Sequence, residues 1–505
     1  MISPANPADE TLLALRSPSQ RTDTRVSADS LRKRAERDTV DAGNRDVVAT
    51  SSSERWPTFA QSALLVDLYE LTMGESLLAE GMSERPATFQ LFCRHLPQGW
   101  GYLVAAGLDD VLAYLEELQF TADDLAYLES TGLFSAGLLE RLARLRFTGE
   151  VRALPEGTLF FPDEPVLEVT APVLEAQLVE AAVLNQIHFQ SLIAGKAARC
   201  VEAAQGCVLV DFSLRRTHGA EAGMKVARAS YLGGFDSTSN VLGGRLYGIP
   251  IAGTMAHSYV ECFEDEQAAF EAFARAYPRG STLLVDTYDT VAGARQAARV
   301  AHALAERGGR LGAVRLDSGD LLELSRRVRS GLDADGLREV GIFASGSLDE
   351  REIARLLASG APIDGFGVGS RLGVSADAPY LDMAYKLVAF DGRPVLKLSA
   401  GKATLPGAKQ VWRRVEAGRL AGDLVALVDE PPPDGAEGLL QPVMKDGARL
   451  GHDTLAAARA RALAQRAALA PEQRLLDAQP YPVESSAQLV ALRDVLTGKL
   501  QATIR

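Results

Sequence analysis

The sequence is poor in the features that would assign it at sight. Of 505 residues only 4 are cysteines. Cys93, Cys200, Cys207 and Cys262 lack the close pairing of a zinc site or a disulfide framework, which suits reduced thiols in a cytoplasmic protein. No stretch approaches the ~20 consecutive apolar residues of a membrane-spanning helix. The N-terminus has no charged start followed by an apolar run, so no secretory signal is expected. Excess positive charge is missing too. The formal net charge of −13 argues against a nucleic-acid partner or a membrane surface, while leaving room for a local basic pocket. Neither the GxxxxGK[ST] of a P-loop nor a dinucleotide fingerprint at the first strand occurs.

What is present is a globular composition, 47% hydrophobic and 24% charged, in a chain too long for one ordinary core. Residues 1–57 are rich in Ser, Thr, Asp and Arg with little apolar periodicity. They are expected to be a disordered extension, with at most a transient helix over Ser27–Arg37, before the fold begins near Trp56-Pro57. Residues 58–205 read as a small α/β domain. Helical spacing runs over Leu64–Leu78, alternation over Thr88–Arg94 and an amphipathic helix over Tyr102–Leu118. Two more helices reach about Leu145. A proline-broken, strand-like stretch follows over Val151–Val169, then a long helix over Leu174–Ala204.

After Gly206 the rhythm changes. Apolar runs recur at Val208–Phe212, Tyr247–Ala252, Thr282–Asp286, Ala313–Leu316, Gly341–Ser345 and Ile363–Val368. Helical patterns lie between several of them, over Thr290–Arg307, Leu321–Leu332 and Asp349–Leu357. Strand–helix alternation implies parallel strands, and many units suggest a barrel, although an open doubly wound sheet would give the same string. The expected class is therefore α/β: an irregular, TIM-like β/α barrel over 206–385, with the smaller N-terminal α/β domain completed by C-terminal segments over 386–505. The latter include a helix over Thr454–Ala468.

The ends of these expected strands carry the chemistry. His257 follows the apolar stretch Gly248–Ala252 in the turn Gly253-Thr254-Met255-Ala256-His257-Ser258. There an imidazole can act as base, metal ligand or phosphoryl acceptor. Asp211-Phe212-Ser213-Leu214-Arg215-Arg216 supplies an aromatic face and two guanidiniums, and Asp286-Thr287-Tyr288-Asp289 follows a run of aliphatics. Arg315 and Asp317 stand two residues apart on one side of a strand. Charges at the ends of apolar strands need partners, because unpaired burial is costly. Two Gly/Ser-rich turns, Ser345-Gly346-Ser347 and Gly367-Val368-Gly369-Ser370 before Arg371, suit a phosphate cradle of backbone N–H groups.

In these pieces the chain resembles the nicotinate phosphoribosyltransferases, from about Leu64 to the C-terminus. The matching motifs are Val66–Met73, Phe89–Arg94 with Gly101-Tyr102-Leu103, Phe212–Arg216, Gly253–Ser258 and Arg315–Asp320. Lys397-Leu398-Ser399 with Lys409-Gln410-Val411 complete the set. The resemblance implies condensation of nicotinate with 5-phosphoribosyl 1-pyrophosphate to nicotinate mononucleotide and pyrophosphate in NAD salvage. It also implies coupling to ATP hydrolysis through a phosphohistidine, Mg²⁺ carried mainly on substrate phosphates, and a homodimer. His257 would be the phosphorylated histidine and Asp286 the carboxylate orienting it. Tyr69 from the neighbouring subunit and Phe212 would sandwich the pyridine ring. Arg315 would take the nicotinate carboxylate, Arg215 the diphosphate and Asp317 the ribose hydroxyls. Ser345, Gly346, Ser347, Gly367, Gly369 and Ser370 would hold the 5′-phosphate, and Leu214 and Ser258 would line the substrate site. No protein ligand for Mg²⁺ is evident.

His218 departs from the pattern, where the family more often carries Gln, and is read as structural. The rivals are a nicotinamide phosphoribosyltransferase, the quinolinate enzyme, a barrel enzyme acting on another sugar phosphate, and a catalytically dead relative. An amide substrate would call for a carboxylate acceptor, a dicarboxylate for more cations, and Schiff-base chemistry for a strand-end lysine. The strand ends offer no lysine, and the set His257, Asp286, Arg315 and Asp317 is intact.

Overall fold

The computed structural model describes residues 62–399, 404–451 and 453–504. The expected extension over 1–57, with Ser27–Arg37 and Trp56-Pro57, lies outside the described residues. The first part of the chain forms β1 (Pro86–Cys93), β2 (Leu103–Val104), β3 (Glu150–Ala153), β4 (Leu159–Phe160) and β5 (Pro165–Pro172). Then follow β6 (Val208–Asp211), β7 (Ser237–Thr238), β8 (Arg279–Leu284), β9 (Arg310–Leu316), β10 (Gly341–Ala344) and β11 (Gly365–Val368). The last part supplies β12 (Met383–Phe390), β13 (Arg393–Pro394), β14 (Lys409–Glu416), β15 (Arg419–Leu427) and β16 (Glu437–Gly438). It ends with β17 (Gln441–Lys445), β18 (Ala448–Arg449) and β19 (Val483–Ser485).

Two sheets matter most. A seven-stranded sheet, β13-β12-β1-β5-β3-β17-β18, interleaves strands from both ends of the chain, with β1 antiparallel to both β12 and β5. A six-stranded sheet, β7-β6-β11-β10-β9-β8, is parallel throughout. Its order follows the chain cyclically, since β11 pairs back onto β6. It is a curled half-barrel, with β7 and β8 as edges and one further bridge, Thr238 to Ile251, beyond β7. Helices 290–305, 321–334 and 350–358 cover it as expected. Each is capped by an aspartate: Asp289, Asp320 and Asp349.

Two expected elements differ. The helix expected over Tyr102–Leu118 starts only at Leu108, after β2 has paired with β4. Gly107 breaks the element with φ 99°, and the buried Glu156 carboxylate accepts its N–H at 2.6 Å and that of Leu108 at 3.1 Å. Glu156 also holds Arg228 of the helix Ala220–Gly233, at 2.9 and 2.6 Å, joining the two halves of the molecule. The buried strand expected over Gly248–Ala252 shrinks to the single bridge at Ile251, which is 47% exposed. A helix occupies Val241–Tyr247 instead, Gly248 ends it at φ 65°, and Pro250 has no N–H to give a ladder. No helix among the described residues is long and apolar enough to cross a membrane.

Candidate functional site

The C-terminal ends of β6, β8, β9, β10 and β11 converge with the turn 253–257, because parallel strands deliver their outgoing loops to one rim. Arg315, last but one in β9, is the hub. Its Nε donates to Ser345 Oγ at 2.7 Å, its Nη1 to Thr254 Oγ1 at 2.9 Å and Met255 O at 3.4 Å, and its Nη2 to Asp317 Oδ1 at 2.7 Å. One guanidinium thus ties three loops together. The Ser345 hydroxyl passes the contact on by donating to Asp317 Oδ1. Burial pushes the Asp317 carboxyl up, but the Ser345 hydroxyl and the Arg315 guanidinium outweigh it and hold Asp317 below the usual carboxylate range. Asp317 is therefore an anion over the physiological range.

Its other oxygen, Oδ2, lies 3.9 Å from Nε2 of His257. That imidazole opens the short helix His257–Glu261, with its side chain 40% exposed, and its Nδ1 lies 3.2 Å from Thr287 Oγ1. Asp286 is placed one step back. Its Oδ2 accepts from the Asp317 N–H at 3.1 Å and the Ser318 hydroxyl at 2.5 Å, while Oδ1 is buried without a hydrogen-bond partner. The structure thus gives Asp286 the turn after β9 to hold, and gives the ring to Thr287 and Asp317.

Phe212, leaving β6, lies against Arg315, with the guanidinium carbon 5.2 Å from its ring centre and Phe343 tilted beside it at 5.8 Å. Gly367 lies inside β11 beneath this ring, where a Cβ would come within 2.4 Å of Phe212 Cδ2. Gly367 therefore makes room for Phe212 and is buried below the mouth. The turns themselves lie above it. Gly346 at φ 93° and Ser347 at φ 51° follow one another in left-handed conformation, and a Cβ on Gly346 would sit 2.0 Å from Asp317 O. Gly369 precedes the single helical turn Ser370–Gly373, and Ser370 Oγ accepts from Arg216 Nη1 at 3.4 Å.

Leu214, Arg215 and Ser258 are exposed at this rim, and so is His218. Tyr69 stands apart on the helix Leu68–Ala79. It is 44% exposed and beside Glu180; burial of its ring and then the Glu180 charge push the phenol up. Thr254 and Thr287 are the residues that sequence reasoning passed over. Both sit in segments singled out for a charged neighbour, and only the hydrogen bonds distinguish them. Among the described residues no group of three or more His, Cys, Asp or Glu could hold a metal ion.

Comparison with known proteins adds an independent line. Residues 64–188 match the nicotinate phosphoribosyltransferase N-terminal domain, and residues 207–405 match the nicotinate phosphoribosyltransferase family. A nicotinate phosphoribosyltransferase of Mycobacterium tuberculosis is 52% identical over 432 residues, 85% of this chain and 92% of that protein. The Bos taurus enzyme of the same name is 34% identical, over 87% of this chain and 97% of its own. The crystal structure of human nicotinic acid phosphoribosyltransferase is similar with a TM-score of 0.77 and 33% identity, covering 86% of this chain and 100% of that one.

Proposed function

The chain belongs to the nicotinate phosphoribosyltransferase family, and from that premise we propose the reaction it runs. Nicotinate condenses with 5-phosphoribosyl 1-pyrophosphate to give nicotinate mononucleotide and pyrophosphate, with ATP hydrolysis coupled through a phosphohistidine at His257. The observation that carries this reading is the hydrogen-bonded cluster Asp317–Arg315–Ser345 at the rim of the half-barrel, with His257 3.9 Å from Asp317 and Phe212 lying against Arg315.

The pyridine nitrogen attacks C1 of the ribose with its own lone pair, so no general base is required. The site has to position the ring in line and neutralise the departing diphosphate. Phe212 offers a face for an electron-poor ring. Arg315 is already engaged on three sides. Its longest bond, to Met255 O, is the one a nicotinate carboxylate would replace. Asp317, ionised and 29% exposed, suits the ribose hydroxyls, and exposed Arg215 suits the diphosphate. The consecutive left-handed residues Gly346 and Ser347, with Gly369 before the helical turn at Ser370, would offer backbone N–H groups to a phosphate.

Mg²⁺ would be carried here on the substrate phosphates and water, the usual way it meets a diphosphate. When bound it would offset charge on the leaving diphosphate. A homodimer in which Tyr69 reaches the partner's site is supported by the exposed Leu68, Tyr69 and Met73 on one helix. Four free thiols agree with a reducing compartment, the cytoplasm.

The test is a product assay with nicotinate or nicotinamide, phosphoribosyl pyrophosphate and Mg²⁺, with and without ATP, on wild type and His257→Ala. Nicotinate mononucleotide formation, stimulated by ATP only in the wild type, is expected. Product from nicotinamide alone, or equal stimulation in the variant, would overturn it.

A further inference from the structure

We infer that Thr287 is the positioning residue of His257, accepting the Nδ1 proton of the imidazole and leaving Nε2 as the nitrogen that receives the phosphoryl group. This rests on the phosphohistidine reading above and names the group that sets its geometry.

His257 has two polar neighbours, and they are not equivalent. The Thr287 hydroxyl is within hydrogen-bond distance of Nδ1, at 3.2 Å. The Asp317 carboxylate is 3.9 Å from Nε2, too far to fix a proton there but close enough to feel a charge. Asp317 already accepts from Arg315 and Ser345 through Oδ1, which anchors it at that distance. Asp286, the carboxylate that a histidine nucleophile would ordinarily recruit, holds Asp317 N and Ser318 Oγ through Oδ2, and its buried Oδ1 makes no hydrogen bond to the ring. Thr287 is thus the ring's hydrogen-bond partner. It is half-buried in the loop after β8, next to the residue that holds the 317–318 turn. A ring nitrogen that donates to an oxygen carries the proton, and the other nitrogen then keeps its lone pair. That lone pair is on the side of Asp317, which binds Arg315 and Ser345, where the phosphoribosyl substrate is proposed to lie.

The step balances as follows. The Nε2 lone pair attacks the γ-phosphorus of ATP, an N–P bond forms, and the bond from phosphorus to the β,γ-bridging oxygen breaks with its electrons leaving on ADP. The ring keeps its Nδ1–H and becomes a cationic phosphoimidazole, stabilised by the Thr287 oxygen and the Asp317 carboxylate. Water later takes the phosphoryl group, and the N–P electrons return to Nε2.

The experiment uses the full chain as wild type, Thr287→Val, Thr287→Ser and Asp286→Asn. Phosphoenzyme formation from Mg²⁺ and γ-labelled ATP is timed, the phosphorylated nitrogen is identified, and ring ¹⁵N shifts of His257 are recorded without ATP. Thr287→Val, nearly isosteric but without the hydroxyl, should form phosphoenzyme on the order of tenfold more slowly, and Thr287→Ser should restore the rate. The label should sit on Nε2, and the ¹⁵N shifts should show Nδ1 as the N–H in wild type but not in Thr287→Val. Wild-type rates and ring shifts in Thr287→Val, or label on Nδ1, overturn the inference. So does a loss confined to Asp286→Asn. A wild type that forms no phosphohistidine overturns the coupling reading itself, and the ring shifts then report on Thr287 separately.

Discussion

Arg315 and Asp317, two residues apart on one side of the chain leaving β9, face each other through a 2.7 Å bond from Nη2 to Oδ1. The period-2 geometry of a strand puts both side chains on the same face. That pair turns a strand end into a rigid wall with an anion at its outer edge. Asp317→Asn should keep the shape and lose the charge. We expect kcat/KM for nicotinate mononucleotide synthesis to fall roughly 10²-fold, with far-UV dichroism unchanged. Wild-type kinetics in this variant would remove Asp317 from the site.

Gly346 is held at φ 93°, with no room for a Cβ against Asp317 O. Gly346→Ala should therefore displace the 317 carbonyl or the 345–347 turn, lowering kcat/KM for phosphoribosyl pyrophosphate by roughly 10²-fold, the cost of about 1 Å of misplacement. Steady-state kinetics with that substrate varied provides the check.

Gly367→Ala acts on the other substrate. The new methyl would push the Phe212 ring off its seat, where Cδ2 is only 2.4 Å away. The KM for nicotinate should rise about tenfold, while that for phosphoribosyl pyrophosphate changes little. Equal effects on both would mean that Phe212 does not stack on the pyridine.

Glu266, buried at the start of the helix Glu266–Ala276, is pushed up to about 7 by burial and then by Asp286 and Asp289. Its folded value lies above the ordinary 4.5. The folded chain therefore keeps a proton that the unfolded chain releases, and stability falls as pH rises from about 4.5 to about 7. Glu266→Gln should remove this term. Its Tm advantage over wild type should be larger at pH 8 than at pH 5, read by calorimetry; an equal gap at both would contradict the buried carboxyl.

Far from the site, Arg413 of β14 donates to Asp423 of β15 at 3.0 and 2.5 Å, and the buried Tyr481, from the segment before β19, donates to the same carboxylate at 3.0 Å. Asp423→Ala breaks the buried ion pair and leaves Arg413 only its bonds to Gln465 Oε1 and Leu159 O and the neighbouring Glu164 carboxyl. A loss of roughly 3–5 kcal/mol is expected in urea unfolding.

Much of this was legible in the chain. The parallel strands β6 and β8–β11 announced themselves as short apolar runs between helical patterns, because a strand covered on both faces needs no polar alternation. The sequence singled out Asp317, Arg315, Phe212 and Ser345 from their places at the ends of those runs, and His257 from the turn after 248–252; the structure brings them together at one rim. The segment 248–252 misled for the same reason: an apolar run needs a partner to become a strand, and here Pro250 and the Gly248 turn leave only one bridge. Thr254 and Thr287 were invisible because a hydroxyl carries no pattern, only a distance.

By itself the sequence determined the succession of apolar runs and helical patterns from β8 to β11 and the residue types available at their ends. Those depend on periodicity and composition, which are local. Only the tertiary structure decided who touches whom. It gave the imidazole to Thr287 and Asp317, set Asp286 to holding a turn, and spent Arg315 on three loops. Those outcomes depend on loops more than 25 residues apart meeting at one rim, such as Arg315 with Ser345 and Thr254, and no local pattern encodes that meeting.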